Sequence, residues 1–197
     1  MPIELNQFKM SAAEDAELRA VLALARPRHI AEFGSGLTTR FWAENAPDAR
    51  IVTWDNYPDW ISELRTAFNG AEWMPRVEWR SYTVTPDGPR DVEKDAVPWS
   101  GEPFDFLFLD GPRSAHPQNY GRSGTFRFAT QHAAPGALIV WHDHDRAHER
   151  RLALRYLGHC RLHGKGRVGW CRWQSPRSGG WLARMFNVIR QPRLLLP

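Results

Sequence analysis

Lysine is scarce in this chain of 197 residues: only Lys9, Lys94 and Lys165 occur, and the other basic side chains are arginines. The net charge is +4, but no basic run or stripe gathers it. A nucleic-acid binder, which concentrates charge on one face, is therefore not expected. Cysteine is rarer still. Cys160 and Cys171 lack the spacing of a metal site, and the opening MPIELNQFKM has no apolar core of a secretory signal. Both are thus expected as thiols in a cytoplasmic protein. No apolar run is long enough to span a bilayer. No internal repeat is present. The remaining composition, 42% hydrophobic and 24% charged, is that of a globular chain, and the length suits one domain over 1–197.

The order of elements carries more information. Ser11 and Glu14 form an S-x-x-E capping box, and Leu18, Val21, Leu22 and Ala25 recur at helical spacing until Pro27, giving a helical segment within 1–28. Ile30–Phe33 reads as a short buried strand behind a polar link at Arg28 and His29. A glycine turn follows, and then a helix through Phe41, Trp42 and Ala43 that Thr38 or Thr39 is placed to cap. Ile51–Asp55 is a second strand, Ile61, Leu64 and Phe68 mark a helix stopped at Asn69-Gly70, and Val77–Tyr82 is a third strand. The segment 85–103, rich in proline, glycine and charge, is long for a connection and reads as a lid or an insertion.

Phe104–Asp110 is the clearest strand, nearly all apolar, as a central parallel strand buried on both faces must be. A helix over Thr125–Ala133, a strand over Ala137–Trp141, a helix beginning near Asp145 and a hairpin around Gly164-Lys165-Gly166 complete the chain. Strands alternate with helices until the hairpin. The expected fold is α/β, a Rossmann-like doubly wound and mostly parallel seven-stranded sheet with a C-terminal antiparallel hairpin.

In such a sheet, ligands collect at the carboxyl ends of the strands. Three acids fall at or beside strand ends: Glu32, Asp55 and Asp110. Gly34 and Gly36 remove side chains where a ligand approaches the backbone, and the next helix offers free N–H groups. Asp55 lies about 20 residues beyond the turn, where a carboxylate can hold two ribose hydroxyls. The third glycine of the dinucleotide fingerprint is absent, which argues against a dinucleotide-dependent oxidoreductase.

The run EFGSGLTT (32–39) resembles the first motif of class I S-adenosylmethionine-dependent methyltransferases. IVTWDNYPDW resembles the second, FDFLFLDGP the fourth, and PGALIVWHDHDR the fifth-strand segment. The likeness spans roughly Ile30 to Leu157 and is close to the branch with G-S-G-x-[ST]-T and D-G-P signatures. It implies that Gly34, Ser35, Gly36 and Thr38 line the site of S-adenosylmethionine, with Glu32 near its amino group, Asp55 on its ribose hydroxyls and Asp110 at the same edge. Tyr82 and Thr83 are candidates beside the adenine, as is Trp54, whereas Trp42 and Trp141 read as core.

Asp110 and the run His142-Asp143-His144-Asp145 follow neighbouring strands. Metal-dependent members such as the catechol O-methyltransferase family hold a divalent ion between an acid at the first place and an Asp-Asn or Asp-Asp pair at the second. Asp110 and Asp143 match, but His142 stands where those relatives have aspartate, which favours manganese, iron or zinc over magnesium. Two other readings stay open: His142 as a metal-free general base, and Asp143 or Asp145 as a helix cap beside solvated histidines. The catalytic candidates are accordingly Asp110, His142 and Asp143. Arg113, His116 and Tyr120 lie on a loop at the same edge, placed either to select an anionic substrate or simply as surface.

The implied activity is methylation of a small molecule at oxygen or nitrogen. The alternative is a non-catalytic cofactor-binding or interaction module that kept the pocket. In the tail, 177–197, Trp181, Leu182, Met185, Phe186 and Ile189 share one helical face. That face is expected to pack on its own domain or on a second subunit of a homodimer, ahead of a peripheral contact with a membrane surface.

Overall fold

The computed structural model describes residues 10–83, 99–112 and 122–175. Five helices alternate with seven strands in it: α1 (Ala12–Ala25), β1 (His29–Phe33), α2 (Leu37–Asn45), β2 (Arg50–Asp55), α3 (Pro58–Ala67), β3 (Val77–Ser81), β4 (Phe104–Leu109), α4 (Ser123–His132), β5 (Ala133–Trp141), α5 (Ala147–Leu157), β6 (Leu162–Lys165) and β7 (Val168–Arg172). The strands form one sheet in the order β3-β2-β1-β4-β5-β7-β6. β1 to β5 run parallel, while β7 lies antiparallel to both β5 and β6. This is the doubly wound sheet with a terminal hairpin that the element order implies. β4 takes the middle position, as its apolar sequence requires.

Strand periodicity sorts the side chains onto two faces. Ile30, Ile51, Phe106, Phe108, Leu138 and Val140 face α1, α2 and α3 through Leu18, Trp42 and Leu64. Ala31, Phe33, Trp54, Leu107, Leu109, Ile139 and Trp141 face α4 and α5 through Phe126, Phe128, Leu152 and Leu157. Trp42 and Trp141 are fully buried, as expected of core. Trp54 is core as well: it is 1% exposed and stacks on Phe33 at 5.1 Å. Its expected place beside an open pocket is therefore corrected.

Local chemistry sets several boundaries differently from the sequence reading. His29 joins β1 because Asp105, on the adjacent strand, accepts from the backbone N–H groups of Arg28 and His29 at 2.9 and 3.0 Å. β5 starts earlier than Ala137, since Ala133 already pairs with Phe104. Helix α5 begins after Arg146 with no side-chain cap, so neither Asp143 nor Asp145 caps it. The capping box of α1 is present in both directions between Ser11 and Glu14. Cys160 and Cys171 are buried free thiols. Among the described residues, no helix is long and apolar enough to cross a membrane. Most of the 85–103 segment, the loop carrying Arg113, His116 and Tyr120, and the tail face from Trp181 to Ile189 lie outside the described residues.

The ladder continues past the strand ends at one edge. Tyr82 N–H donates to the Asp55 carbonyl, Gly34 to Trp54, Asp110 to Phe33 and His142 to Leu109, all at 2.8–3.1 Å. Tyr82, Asp55, Gly34, Asp110 and His142 are thereby lined up across the carboxyl edge. Gly34 adopts φ +94°, and a Cβ there would lie 3.0 Å from the Asp110 carbonyl carbon and oxygen. Gly111 returns the approach: its Cβ would lie 2.7 Å from the Gly34 nitrogen. Gly34→Ala is therefore expected to destabilise the protein by at least about 2 kcal/mol, a loss of roughly 4–8 °C in Tm. An unchanged thermal melt would contradict this packing.

Candidate active site

The turn after β1 is organised by a carboxylate beneath it. Glu32 is 0% exposed and faces the same layer as Ile30. Its Oε1 accepts from the Trp42 indole at 3.0 Å, and its Oε2 accepts from the hydroxyls of Thr39 and Thr53. Each threonine passes the connection upward. Thr39 accepts from the Gly36 N–H at 3.0 Å. Thr53 gives its hydrogen to Glu32, so it is the Ser35 hydroxyl that donates to Thr53, at 2.7 Å. Burial pushes the Glu32 carboxyl up to about 7, against the pull of hydrogen bonds from Thr38, Thr39, Thr53 and Trp42. Thr39 thus sits inside the first turn of α2 and steadies its start from there, while Gly36 holds the cap position. Both Glu32 oxygens are engaged by the protein.

Asp55 ends β2 and is 8% exposed. Its Oδ2 accepts from the Ser35 N–H at 3.1 Å and its Oδ1 from the Tyr57 N–H at 3.0 Å. Burial raises its carboxyl to about 6, opposed by the N–H groups of Tyr57, Ser35 and Asn56. Ser35 is fixed on three sides, since the Trp60 indole donates to its carbonyl at 2.8 Å. Gly36 is different. Its φ of 172° is extended backbone that any residue adopts, and among the described residues nothing lies within 4 Å of the place a Cβ would take. Among the described residues, the fold around Gly36 makes no demand for glycine, and the space a side chain would take is open. Tyr82 packs edge-on to Phe33 at 6.0 Å beyond β3, and Thr83 is exposed.

Asp110, His142 and Asp143 converge as their strand positions imply. Each offers a ligand-type atom, and these atoms lie within 4.8 Å of one another. Their partners decide what the cluster is. His142 Nδ1 meets Asp110 Oδ1 at 3.1 Å, and its Nε2 meets Glu14 Oε1 at 2.8 Å. Arg122, only 2% exposed, lies between the two aspartates and donates from one nitrogen to Asp110 Oδ1 and Asp143 Oδ2, each at 2.8 Å. Its other terminal nitrogen donates to the His142 carbonyl at 2.7 Å. Asp143 Oδ1 accepts from Arg167, and its Oδ2 also meets Arg146 at 3.0 Å. Arg167 reaches Glu14 as well, at 3.2 Å.

At Asp143, His142 and Glu14 burial works against the charge, and the partners overrule it. Asp143 is held below the usual carboxylate range by Arg167, Arg122, His142 and Arg146. His142 is raised by Asp110 and Glu14, which favours the imidazolium. Glu14 is lowered to about 2 by Ser11 and His142. Close to Arg122 lies Glu149, 0% exposed, whose oxygens, like the Arg122 Nε, have no hydrogen-bond partner among the described residues. Burial raises the Glu149 carboxyl, and the Arg122 charge opposes that rise.

Glu14, Arg122, Arg146, Arg167 and Glu149 were not among the residues that sequence reasoning placed at this edge. Glu14 was accounted for by its capping box. The arginines look like any others in an arginine-rich chain.

An open α/β sheet with a glycine turn, a carboxylate after β2 and an acid after the central strand defines a class, the Rossmann-like methyltransferase fold. The sequence matches the model of a family described as a methyltransferase domain over residues 31–144, more than half of its length, and the chain belongs to that family. No curated protein matches it. Its fold is similar to that of an O-methyltransferase from Bacillus cereus solved with SAH, with TM-score 0.60, 18% identity and coverage of 84% of this chain and 83% of that one. An SAH-bound methyltransferase from Podospora anserina gives TM-score 0.62 at 17% identity over 84% and 80% of the two chains. A methyltransferase-like protein from Silicibacter pomeroyi gives 0.60 at 13% identity over 96% and 97%.

The Glu32 network generates a pH test. With a folded value near 7 against an ordinary 4.5, the stability linked to Glu32 is fully present below about pH 4.5 and is lost as pH rises through 7. Relative to Glu32→Gln, which does not titrate, the parent should lose on the order of 3 kcal/mol between pH 5 and pH 8. Parallel melting curves for the two proteins across that range would contradict the burial of an ionisable carboxyl here.

Proposed function

We propose that this protein binds S-adenosylmethionine across the carboxyl edge of β1 and β2 and transfers its methyl group to an oxygen or nitrogen of a small molecule. The observation that carries the reading is Gly36. A loop fixed through Ser35 and Gly34 by hydrogen bonds and close packing presents one residue whose missing side chain serves open space rather than the fold. The buried Asp55 carboxylate stands beside it. The two relatives solved with SAH support the same ligand class.

The residues divide the work. Gly34 and the Glu32 network set the loop, Gly36 admits the ligand, and Asp55 takes ribose hydroxyls. S-adenosylmethionine, when bound, supplies an electrophilic methyl carbon. Much of methyl transfer is alignment, and a hydroxyl or amine acceptor must also shed a proton. Both ring nitrogens of His142 are engaged by carboxylates and its charged form is favoured, so His142 does not serve as the base. Asp110 is the most exposed of the three candidates, with 29% of its side chain open against 14% for His142 and 4% for Asp143. We assign it the acceptor-side role of taking a hydrogen bond, and then the proton, from the acceptor. His142 and Arg122 hold it in place. A non-catalytic module would bind the same ligand without turnover.

Calorimetry with S-adenosylhomocysteine tests the reading and needs no acceptor. The parent should bind it and should not bind NAD. Asp55→Ala should weaken binding by about 1–3 kcal/mol through loss of charge-assisted hydrogen bonds. Gly36→Ala should melt within a degree or two of the parent, because no contact is lost, yet bind about 10-fold or more weaker. Full affinity in a folded Gly36→Ala protein would remove the ligand from this loop.

A further inference from the structure

The resemblance to metal-dependent methyltransferases would place a divalent ion among Asp110, His142 and Asp143. The donor types fit such an ion, but the partners do not. A metal ligand must offer a free lone pair, and both Asp143 oxygens are engaged by cations: Oδ1 by Arg167, Oδ2 by Arg122 and Arg146. The Asp110 oxygen that faces the cluster is shared by Arg122 and His142. His142 has Asp110 on one ring nitrogen and Glu14 on the other. The Arg122 guanidinium occupies the gap between the two aspartates, 2.8 Å from each.

We infer that Arg122 is a built-in cation standing where metal-dependent relatives hold a divalent ion, so that this protein binds its cofactor and presents Asp110 without any metal. The reasons are geometric. Arg122 enters from the segment just before α4, and its guanidinium is almost wholly buried. It joins three groups at the ends of two strands: the Asp110 carboxylate after β4, and the His142 carbonyl and Asp143 carboxylate after β5. Cross-linking the ends of two strands is the structural task a bound ion would perform, and a planar donor fork performs it through several fixed directions. Glu149, fully buried on α5, lies close enough to the guanidinium to interact with it electrostatically. Arg122 is a positioning residue: it touches no acceptor itself and fixes the carboxylate that does. The inference rests on the proposed methyl-transfer role only for the purpose of Asp110. The absence of metal binding stands independently.

The test is a manganese titration, followed by paramagnetic resonance, of the chelator-treated full-length protein, of Arg122→Met and of Arg122→Lys. Manganese suits a set of two carboxylates and an imidazole. The parent and Arg122→Lys should show no specific site, and chelator should leave the parent's S-adenosylhomocysteine affinity unchanged. Arg122→Met exposes the aspartate pair to the ion and should bind manganese about 10–100-fold tighter than the parent, with a melting temperature that rises on manganese addition. Manganese bound by the parent and lost in Asp143→Asn would overturn the inference. So would a folded Arg122→Met protein with no gain in manganese affinity. Should Arg122→Met not fold, the parent titration decides alone. Failure of S-adenosylhomocysteine to bind a metal-blind parent would sink the cofactor reading and leave this inference standing.

Discussion

The Glu32 carboxylate is buried under the loop that follows β1, and the order of that loop depends on it. Two hydrogen-bond chains descend into it, one from the Gly36 N–H through Thr39 and one from the Ser35 hydroxyl through Thr53. A third donor, the Trp42 indole, ties the same carboxylate to α2. A buried carboxylate is costly unless its lone pairs are met, and here three donors meet them. The cost that remains appears as the upward shift of its titration. In return, a loop without regular hydrogen bonding of its own is held in one shape, with the open side of Gly36 turned outward. The acidic residue of the first motif is thus understood as the foundation of the loop.

The second feature of the edge is electrostatic. Glu14, Asp110, Asp143 and Glu149 surround Arg122, Arg146, Arg167 and His142 within a small volume. A buried ion pair gains little unless its hydrogen bonds are well formed, and removing one partner leaves the other charge stranded. Arg122 is the member whose loss strands most. A divalent ion about 4 Å from that guanidinium would be repelled by about 8 kcal/mol at an effective dielectric constant of about 20, before any lone pair is found for it. The cluster also reaches α1: Glu14 closes its own capping box with one oxygen and meets His142 with the other. The first helix is thereby joined to the strand ends it crosses.

The fold was legible because it rests on local signals. The apolar run of β4, the capping box at Ser11, the glycine turn and the hairpin glycines each act within a few residues, and together they fix the order of elements. Element edges were less legible, since they depend on partners distant in sequence: Asp105, on the adjacent strand β4, draws His29 into β1. Part of the site was legible for a similar reason. Gly34, Gly36, Asp55 and Asp110 sit at strand ends, and the strand ends were visible. The inward turn of Glu32 and Ser35 was not, because it depends on Thr39 and Thr53, which come together on the Glu32 carboxylate only once α2 and β2 have packed beside β1. Arg122 was invisible for the same reason. Nothing in the sequence separates it from the other arginines, and its role comes from two strand ends meeting beside the start of α4.

The central claim is that the open side of Gly36 and the Asp55 carboxylate belong to one nucleoside-binding cleft at the carboxyl edge of the sheet. A crystal structure of the full-length protein grown with S-adenosylhomocysteine tests it most directly. The account predicts ligand density over Gly36, with the ribose hydroxyls on Asp55 and the sulfur on the side of Asp110. Density on another face of the sheet, or a ligand at this edge that leaves Asp55 bonded only to Ser35 and Tyr57, would contradict it.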